Sequence, residues 1–281
     1  MLTAMPAPAI NSALADHLRA LPAVAVVYTD LDGTLLGPGG SLLTGPDGLP
    51  SVRAAAALVD AATAGVTVVP VSGRRRAQLQ NDARLLGLAS CIAEAGGVIV
   101  REGAVHYEWG EAPRGRAANP HDTLESAGAL AVLLETFAGA LRLYEPWCRG
   151  REGGMLLHGR VDTAAANAAL ADAGCGWAYL IDNGATGGWP GRAVRAYHLL
   201  PRGVGKAGAV ADDLAQRGLA PHAALAVGDS LEDERMAAAV GTYVRVANGH
   251  GAGGPNCFRA AAAMGEGVAE VVATLLSVRG A

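Results

Sequence analysis

The chain is poor in aromatic residues, which make up 4% of its 281 positions, with only two Phe. A surface that stacks successive bases needs such rings, so a single-stranded nucleic-acid platform is not expected. An excess of positive charge is also missing. Lys and Arg number 22 against 26 Asp and Glu, a net charge of −4. That balance offers no broad field to nucleic acid or an anionic bilayer. No run reaches the ~18 consecutive apolar residues of a membrane span. The start, residues 1–9, carries no Lys or Arg ahead of its apolar residues, as a secretory leader would. The four cysteines (Cys91, Cys148, Cys175, Cys257) are far apart and form no CxxC. Reduced thiols and a cytoplasmic protein are expected. There is no internal repeat and no low-complexity linker.

What is present is 51% hydrophobic residues, 39 glycines and 14 prolines, dispersed along the chain. Short, nearly continuous apolar runs at 24–29, 66–71 (VTVVPV), 224–228 (ALAVG) and 243–247 (YVRVA) read as strands buried on both faces. Helical stretches lie between and around them, at 9–21, 50–64, 74–86, 206–217, 231–240 and 258–278. Strands alternating with helices predict an α/β fold with a Rossmann-like, doubly wound parallel sheet. The middle reads differently. Asp122 and Glu125 suggest a capping box for a helix running to about Leu141. A strand at 154–161 precedes a helix at 162–173, capped by Asp162 and closed by Gly174. Strands follow at 179–181 and 194–200. Residues 101–196 therefore read as an inserted α+β domain, within a core formed by 1–100 and 197–281.

The chemistry gathers at strand ends, where ligands bind in open α/β sheets. Asp30 and Asp32 follow the first buried strand, and Gly33 permits a turn that lets both carboxylates face one site. Ser72-Gly73 follows the second strand, Lys206 opens a helix after a turn at 201–205, and Asp229 and Asp233 follow ALAV. Each feature alone has an ordinary structural reading: an Asp-rich turn, a helix N-cap, a solvated first-turn lysine, an N-terminal acid. Their joint occurrence in this order does not.

Competing signals are present. Residues 203–208 spell GxGxxG, with Asp229 lying 21 residues after Gly208, like a dinucleotide loop and its ribose acid. Pro201 and Arg202, however, separate strand from glycines, and that reading leaves Asp30, Asp32 and Ser72 without work. Residues 228–231 match the GDSL signature of some esterases, but no DxxH follows. Ala207 after Gly205-Lys206 excludes a P-loop. Arg74–Arg76 read as a solvated first helical turn, and His158, His198 and His222 lack metal-ligand spacing.

The four segments TDLDGTLL (29–36), VSGR (71–74), RGVGKAGAV (202–210) and AVGDSLED (226–233) resemble, in order and over the whole chain, the motifs of the haloacid dehalogenase superfamily. The branch resembled is its phosphatases with a large cap inserted after the third core strand. Residues 93–97 resemble an AENG-like segment, with Ala95 in place of the usual Asn. The resemblance implies that Asp30 attacks phosphorus and forms an aspartyl-phosphate. Asp32 would protonate the leaving oxygen and then deprotonate water. Ser72, Lys206, Gly33, Thr34 and Gly73 would hold the phosphate. Mg²⁺ would sit on Asp30, Asp32 and Asp229, with Asp233 close by. The partner implied is a small phosphorylated substrate, with the protein a monomer or homodimer. Asp32 argues for phosphoryl transfer over dehalogenation. A phosphohexomutase of the same superfamily, or a catalytically silent ligand-sensing or scaffold member, are the alternatives. Local similarity points to the sugar-phosphate branch, sucrose-phosphatase-like and Cof-type, nearest to mannosyl-3-phosphoglycerate phosphatases. Cap residues expected to meet the substrate are Arg149, Arg151, His158 and Arg160, with Glu152 and Arg192 as further polar candidates.

Overall fold

In the computed structural model, which describes residues 11–279, the central strands form where the apolar runs lie, because a strand covered on both faces needs apolar side chains on both. In chain order the elements are α1 (Ser12–Arg19), β1 (Val26–Asp30), α2 (Arg53–Thr63), β2 (Thr67–Val71), α3 (Arg76–Leu85), β3 (Ser90–Ala93), β4 (Val98–Arg101), β5 (Ala104–Tyr107), α4 (Pro120–Ser126), α5 (Ala129–Thr136), β6 (Leu141–Leu143), β7 (Met155–Gly159), α6 (Thr163–Asp172), β8 (Ala178–Thr186), β9 (Val194–Pro201), α7 (Lys206–Gln216), β10 (Ala224–Gly228), α8 (Leu231–Glu234), β11 (Thr242–Arg245), β12 (Cys257–Arg259) and α9 (Met264–Arg279). The unsignalled start at 1–9 lies outside the described residues. No described helix is long and apolar enough to cross a membrane.

The chain divides into two compact units. The first comprises the described residues up to Ser72, Ala83–Cys91 and those from Lys206 onward; the second comprises Gly73–Asp82 and Ile92–Gly205. In the first unit, five parallel strands stand in the order β12-β11-β10-β1-β2. Every residue of β1 and β10 is buried. The chain moves one way from β1 to β2, then returns to place β10 on the other side of β1. That reversal creates the crevice between β1 and β10 where α/β sheets bind ligands. The fold is α/β as expected, with helices flanking the sheet.

One contact orients α7 on β1. The Tyr28 hydroxyl donates to Asp213 Oδ2 at 2.8 Å, and the same oxygen accepts from Arg217 Nε at 2.6 Å. Burial and the Asp213 charge push the Tyr28 phenol far above its ordinary range. Tyr28 and Asp30 share one side of β1, two residues apart. Lys206 and Asp213 share one face of α7, seven residues apart. The buried hydrogen bond between 28 and 213 thus sets the approach of Lys206 to Asp30.

The second unit contains an antiparallel hairpin, β4–β5, and an antiparallel sheet in the order β6-β7-β9-β8. One face of that sheet, including Met155, Leu157, Tyr197 and Leu199, packs with Leu124, Leu133, Ala166 and Leu170 from α4, α5 and α6. Asp162 caps α6, its side chain accepting from the Ala164 amide at 3.0 Å, and Gly174 follows the helix at φ +78°. Other local expectations are corrected. The single helix expected from 122 to 141 is two: Asn119, not the 122/125 pair, caps α4, and Gly128 at φ +79° breaks the chain before α5. The expected C-terminal helix begins only at Met264, because 257–259 pair with β11 as an edge strand. The helix expected at 231–240 gives way to a 3₁₀ turn at Arg235.

Asp213→Ala would strand a buried phenol and the partly buried Arg217. It is expected to lower stability by about 3 kcal/mol in urea unfolding, whereas Tyr28→Phe should cost less, about 1 kcal/mol.

Candidate active site

The site is built from the carboxyl ends of β1 and β10 and the first residue of α7. Asp30 closes β1 and is 6% exposed, and Lys206 opens α7 and is 7% exposed. The Lys206 ammonium donates to Asp30 Oδ1 at 2.8 Å and to Asp233 Oδ1 at 2.6 Å. Lys206 is the chain's only lysine; every other residue counted among the 22 basic ones is an arginine. A compact ammonium with three donors can bridge two buried carboxylates where a planar guanidinium fork does not fit the same space.

Asp229 follows Gly228. Its Oδ1 accepts from Thr34 Oγ1 at 3.1 Å. Asp233 sits in the first turn of α8, where Oδ2 accepts from Ser230 Oγ at 2.6 Å and the Ser230 amide at 3.0 Å, a capping box. Two glycines are required here. A Cβ on Gly228 would lie 2.2 Å from Asp233 Cβ. One on Gly33, at φ +88°, would lie 2.8 Å from Asp229 Oδ2. Ser72 follows β2, whose Val71 is in register with Asp30, so the hydroxyl-bearing residue emerges beside the aspartate; it is 2% exposed. Asp32 is exposed, at the first bend after β1.

Carboxylate oxygens of Asp30, Asp229 and Asp233 lie within 4.8 Å of one another. Three carboxylates and one ammonium sum to −2, the charge that one divalent cation cancels. All donors are hard oxygens, the set that Mg²⁺ prefers. Asp233 has both oxygens engaged by Lys206 and Ser230, whereas Asp30 Oδ2 has no donor among the described residues. The residues therefore fit a divalent cation. Burial, opposed by Lys206 and reinforced by the charges of Asp233 and Asp229, pushes the Asp30 carboxyl up to about 7. Burial and Asp233 likewise raise Asp229. Asp233 goes the other way: against its own burial, Lys206 and the Ser230 hydrogen bonds hold it below the usual range.

The second unit places the other expected residues. Gly73 packs on His198: a Cβ there would lie 3.1 Å from His198 Nε2. Arg151 is buried and donates to the Gly73 carbonyl at 2.8 Å. Arg149 is exposed and pairs with Glu145 at 2.7 Å. Glu152 accepts from Arg76 at 2.5 and 2.7 Å, and Arg74 pairs with Asp82, so two of the three consecutive arginines are ion-paired, not solvated. His158 is buried, its Nε2 accepting from Arg142 Nε at 2.7 Å. Arg160 and Arg192 are exposed and line one pocket.

Two further residues tie segments together. Asn248 donates to the Gly33 carbonyl at 2.8 Å and accepts from the Met264 amide at 2.8 Å, tying the β1 turn to the start of α9. Its signal is an Asn-Gly pair directly after a strand. Glu94, fully buried at φ +56°, accepts from the amides of Arg76, Glu152 and Gly153 at 3.2, 3.0 and 2.9 Å. It is the acid of the AENG-like segment at 93–97, though nothing in its spacing marks these partners.

No protein-family model and no curated protein matches the sequence. Solved structures do. The sucrose-phosphatase of Synechocystis, solved with sucrose and phosphate, superposes with a TM-score of 0.64 at 15% identity, over 90% of this chain and 98% of its own. A haloacid dehalogenase-like hydrolase from Bacteroides thetaiotaomicron gives 0.60 at 17%, over 89% and 98%. A phosphatase of the same superfamily and organism gives 0.61 at 17%, over 92% and 96%. The fold is that of the haloacid dehalogenase-like (HAD) hydrolases.

The pH dependence of stability follows from Asp30. A carboxyl held above its ordinary value stabilises the fold fully below that value and loses the contribution as pH rises through about 7. In EDTA, unfolding free energy is expected to fall between about pH 5 and 7 and then flatten. Asp30→Asn should remove this slope; an unchanged slope would show that another group sets it.

Proposed function

We propose that the protein is a Mg²⁺-dependent phosphomonoester hydrolase acting on a small phosphorylated metabolite in the cytoplasm. The observation that carries this reading is the buried Lys206 bridge between Asp30 and Asp233, with Asp229 beside it. Asp30 Oδ2, without a donor, attacks phosphorus as the ester P–O bond breaks, giving an aspartyl-phosphate and a free alcohol. Asp32, exposed two residues on, gives its proton to the leaving oxygen. It then takes a proton from the water that attacks phosphorus and releases Asp30 and phosphate. Ser72 offers its hydroxyl to a phosphoryl oxygen, and Gly33 and Gly73 let backbone approach the group; the buried Thr34 hydroxyl, expected to hold phosphate, donates to Asp229 instead and orients it. Lys206 stabilises the negative charge that spreads over the transferring group. Asp30, Asp229 and the Asp32 carbonyl would hold Mg²⁺, with Asp233 supporting. The ion would neutralise the phosphate's charge and keep the carboxylates from repelling it.

Residues 101–196 are proposed as the substrate-selecting cap on the 1–100 and 197–281 core. The substrate class proposed is a sugar phosphate or a glycosyl-phosphoglycerate. It is supported by the fold likeness to a phosphatase solved with sucrose and phosphate.

Purified protein is expected to hydrolyse p-nitrophenyl phosphate with Mg²⁺ and to stop in EDTA. Asp30→Asn should abolish turnover, Asp32→Asn should lower kcat by about 10²–10⁴-fold, and Lys206→Arg should not restore a Lys206→Ala loss. Full activity in Asp30→Asn would overturn the assignment. A panel of hexose phosphates and phosphoglycosides, ranked by kcat/KM, tests the substrate class.

A further inference from the structure

The second unit carries a cationic, aromatic-walled pocket that the phosphoryl-transfer chemistry does not use. It has a volume of about 310 Å³, and Arg160, Arg192 and Trp189 line it together with Ala140, Gly191 and Ala193. The small residues leave the room, and the two arginines and the indole supply the chemistry.

The indole is held from several sides. The Arg142 guanidinium lies 4.0 Å from the centre of the Trp189 ring and that of Arg192 lies 5.2 Å away. His158 packs at 5.4 Å from the same ring and stacks on Tyr144 at 4.4 Å. The Tyr144 hydroxyl shares a 2.6 Å hydrogen bond with Thr186. Arg142 also donates to His158 Nε2 and to the Gly188 carbonyl, at 2.7 and 3.1 Å. An imidazole nitrogen that accepts from a guanidinium is unprotonated, and burial with the Arg142 charge lowers the His158 pKa in the same sense. His158 therefore adds no positive charge and serves as a neutral wedge behind the indole.

The charge count makes the pocket a receptor. Arg142 and Arg192 lie over one indole and Arg160 lines the same pocket, and among the described residues none of the three makes an ion pair with a carboxylate. Four other arginines of the unit, Arg74, Arg76, Arg149 and Arg195, each pair with an acid. Like charges held together without a counterion repel, and an arriving oxyanion relieves that repulsion while accepting from guanidinium donors. The pocket also stands apart from the residues nearest Gly73. It lies at the Val194 end of β9, four residues along the strand from His198, about 13 Å at ordinary strand rise.

We propose that the pocket formed by Arg160, Arg192 and Trp189 binds the oxyanion of a small carboxylated or phosphorylated metabolite, with Trp189 against its body. This site stands independently of the hydrolase assignment.

The test is a titration of the full-length protein with inorganic phosphate, and separately with glycerate, followed through the indole N–H resonances. The chain has four Trp, and Trp189→Phe assigns the relevant signal. Phosphate, glycerate or both should shift the Trp189 resonance at constant ionic strength, and the tighter ligand tells the phosphoryl from the carboxylate source. Arg160→Ala and Arg192→Ala should each weaken that binding about tenfold. Both side chains are exposed, so the variants should keep the wild-type circular dichroism. Arg114→Ala, beside Trp109, should leave the shift unchanged. The proposal is overturned if chloride alone reproduces the shift, if neither anion moves Trp189, or if the shift survives in both arginine variants. Loss of the shift in Asp30→Asn would also overturn it, by showing that the signal originates at the core carboxylates.

Discussion

A single buried ammonium holds the carboxylate-lined edge of this protein together. Lys206 touches Asp30 at the end of β1 and Asp233 in the first turn of α8, and without it two buried carboxylates would face each other unscreened. Removing one partner from a buried charged network leaves an uncompensated charge and costs about 3–5 kcal/mol. The arrangement is nevertheless incomplete in charge. One ammonium does not cancel three acids, and burial, joined by the charges of Asp233 and Asp229, raises the Asp30 carboxyl. A divalent cation would correct that imbalance.

Much of the remaining architecture serves that contact. The reversal of chain direction around β1 brings Asp30 and Asp229 to adjacent strand ends. The Tyr28–Asp213 hydrogen bond aligns α7 so that its first residue meets Asp30. Gly228 and Gly33 are places where any side chain would collide with an acid of the site. Asn248 links the turn at Gly33 to α9, so the loop carrying Asp32 is tied to the body of its unit. Retention of lysine at this one position, in a chain that otherwise uses arginine for its basic side chains, is the compositional trace of the same constraint.

The core was legible in the sequence because its signals are local. Strands buried on both faces appear as unbroken apolar runs, and the acids, the serine and the lysine sit within a few residues of their ends. The second unit was less legible. Its Ala- and Leu-rich stretch at 129–136 carries helical composition past the break at Gly128, and the short strand Leu141–Leu143 starts where the expected helix was to end. The β4–β5 hairpin turns through Glu102 and Gly103, both at positive φ, and its strands are only four residues long, too short for a clear alternating pattern. The Arg142–His158–Trp189 cluster had no local signal at all. Sheet register brings Arg142 opposite His158, and a loop more than 30 residues further on supplies the indole. Glu94 stands in the AENG-like segment, but its partners are backbone amides from distant segments, which no local pattern marks.

The central claim is that three carboxylates and one lysine form a seat for one divalent cation. Isothermal titration of the metal-free protein with Mg²⁺ tests it most directly. The account predicts one ion per chain, with binding lost in Asp229→Asn while the circular dichroism of that variant stays that of the wild type. No Mg²⁺ binding to the wild-type protein, or undiminished binding to Asp229→Asn, would contradict it.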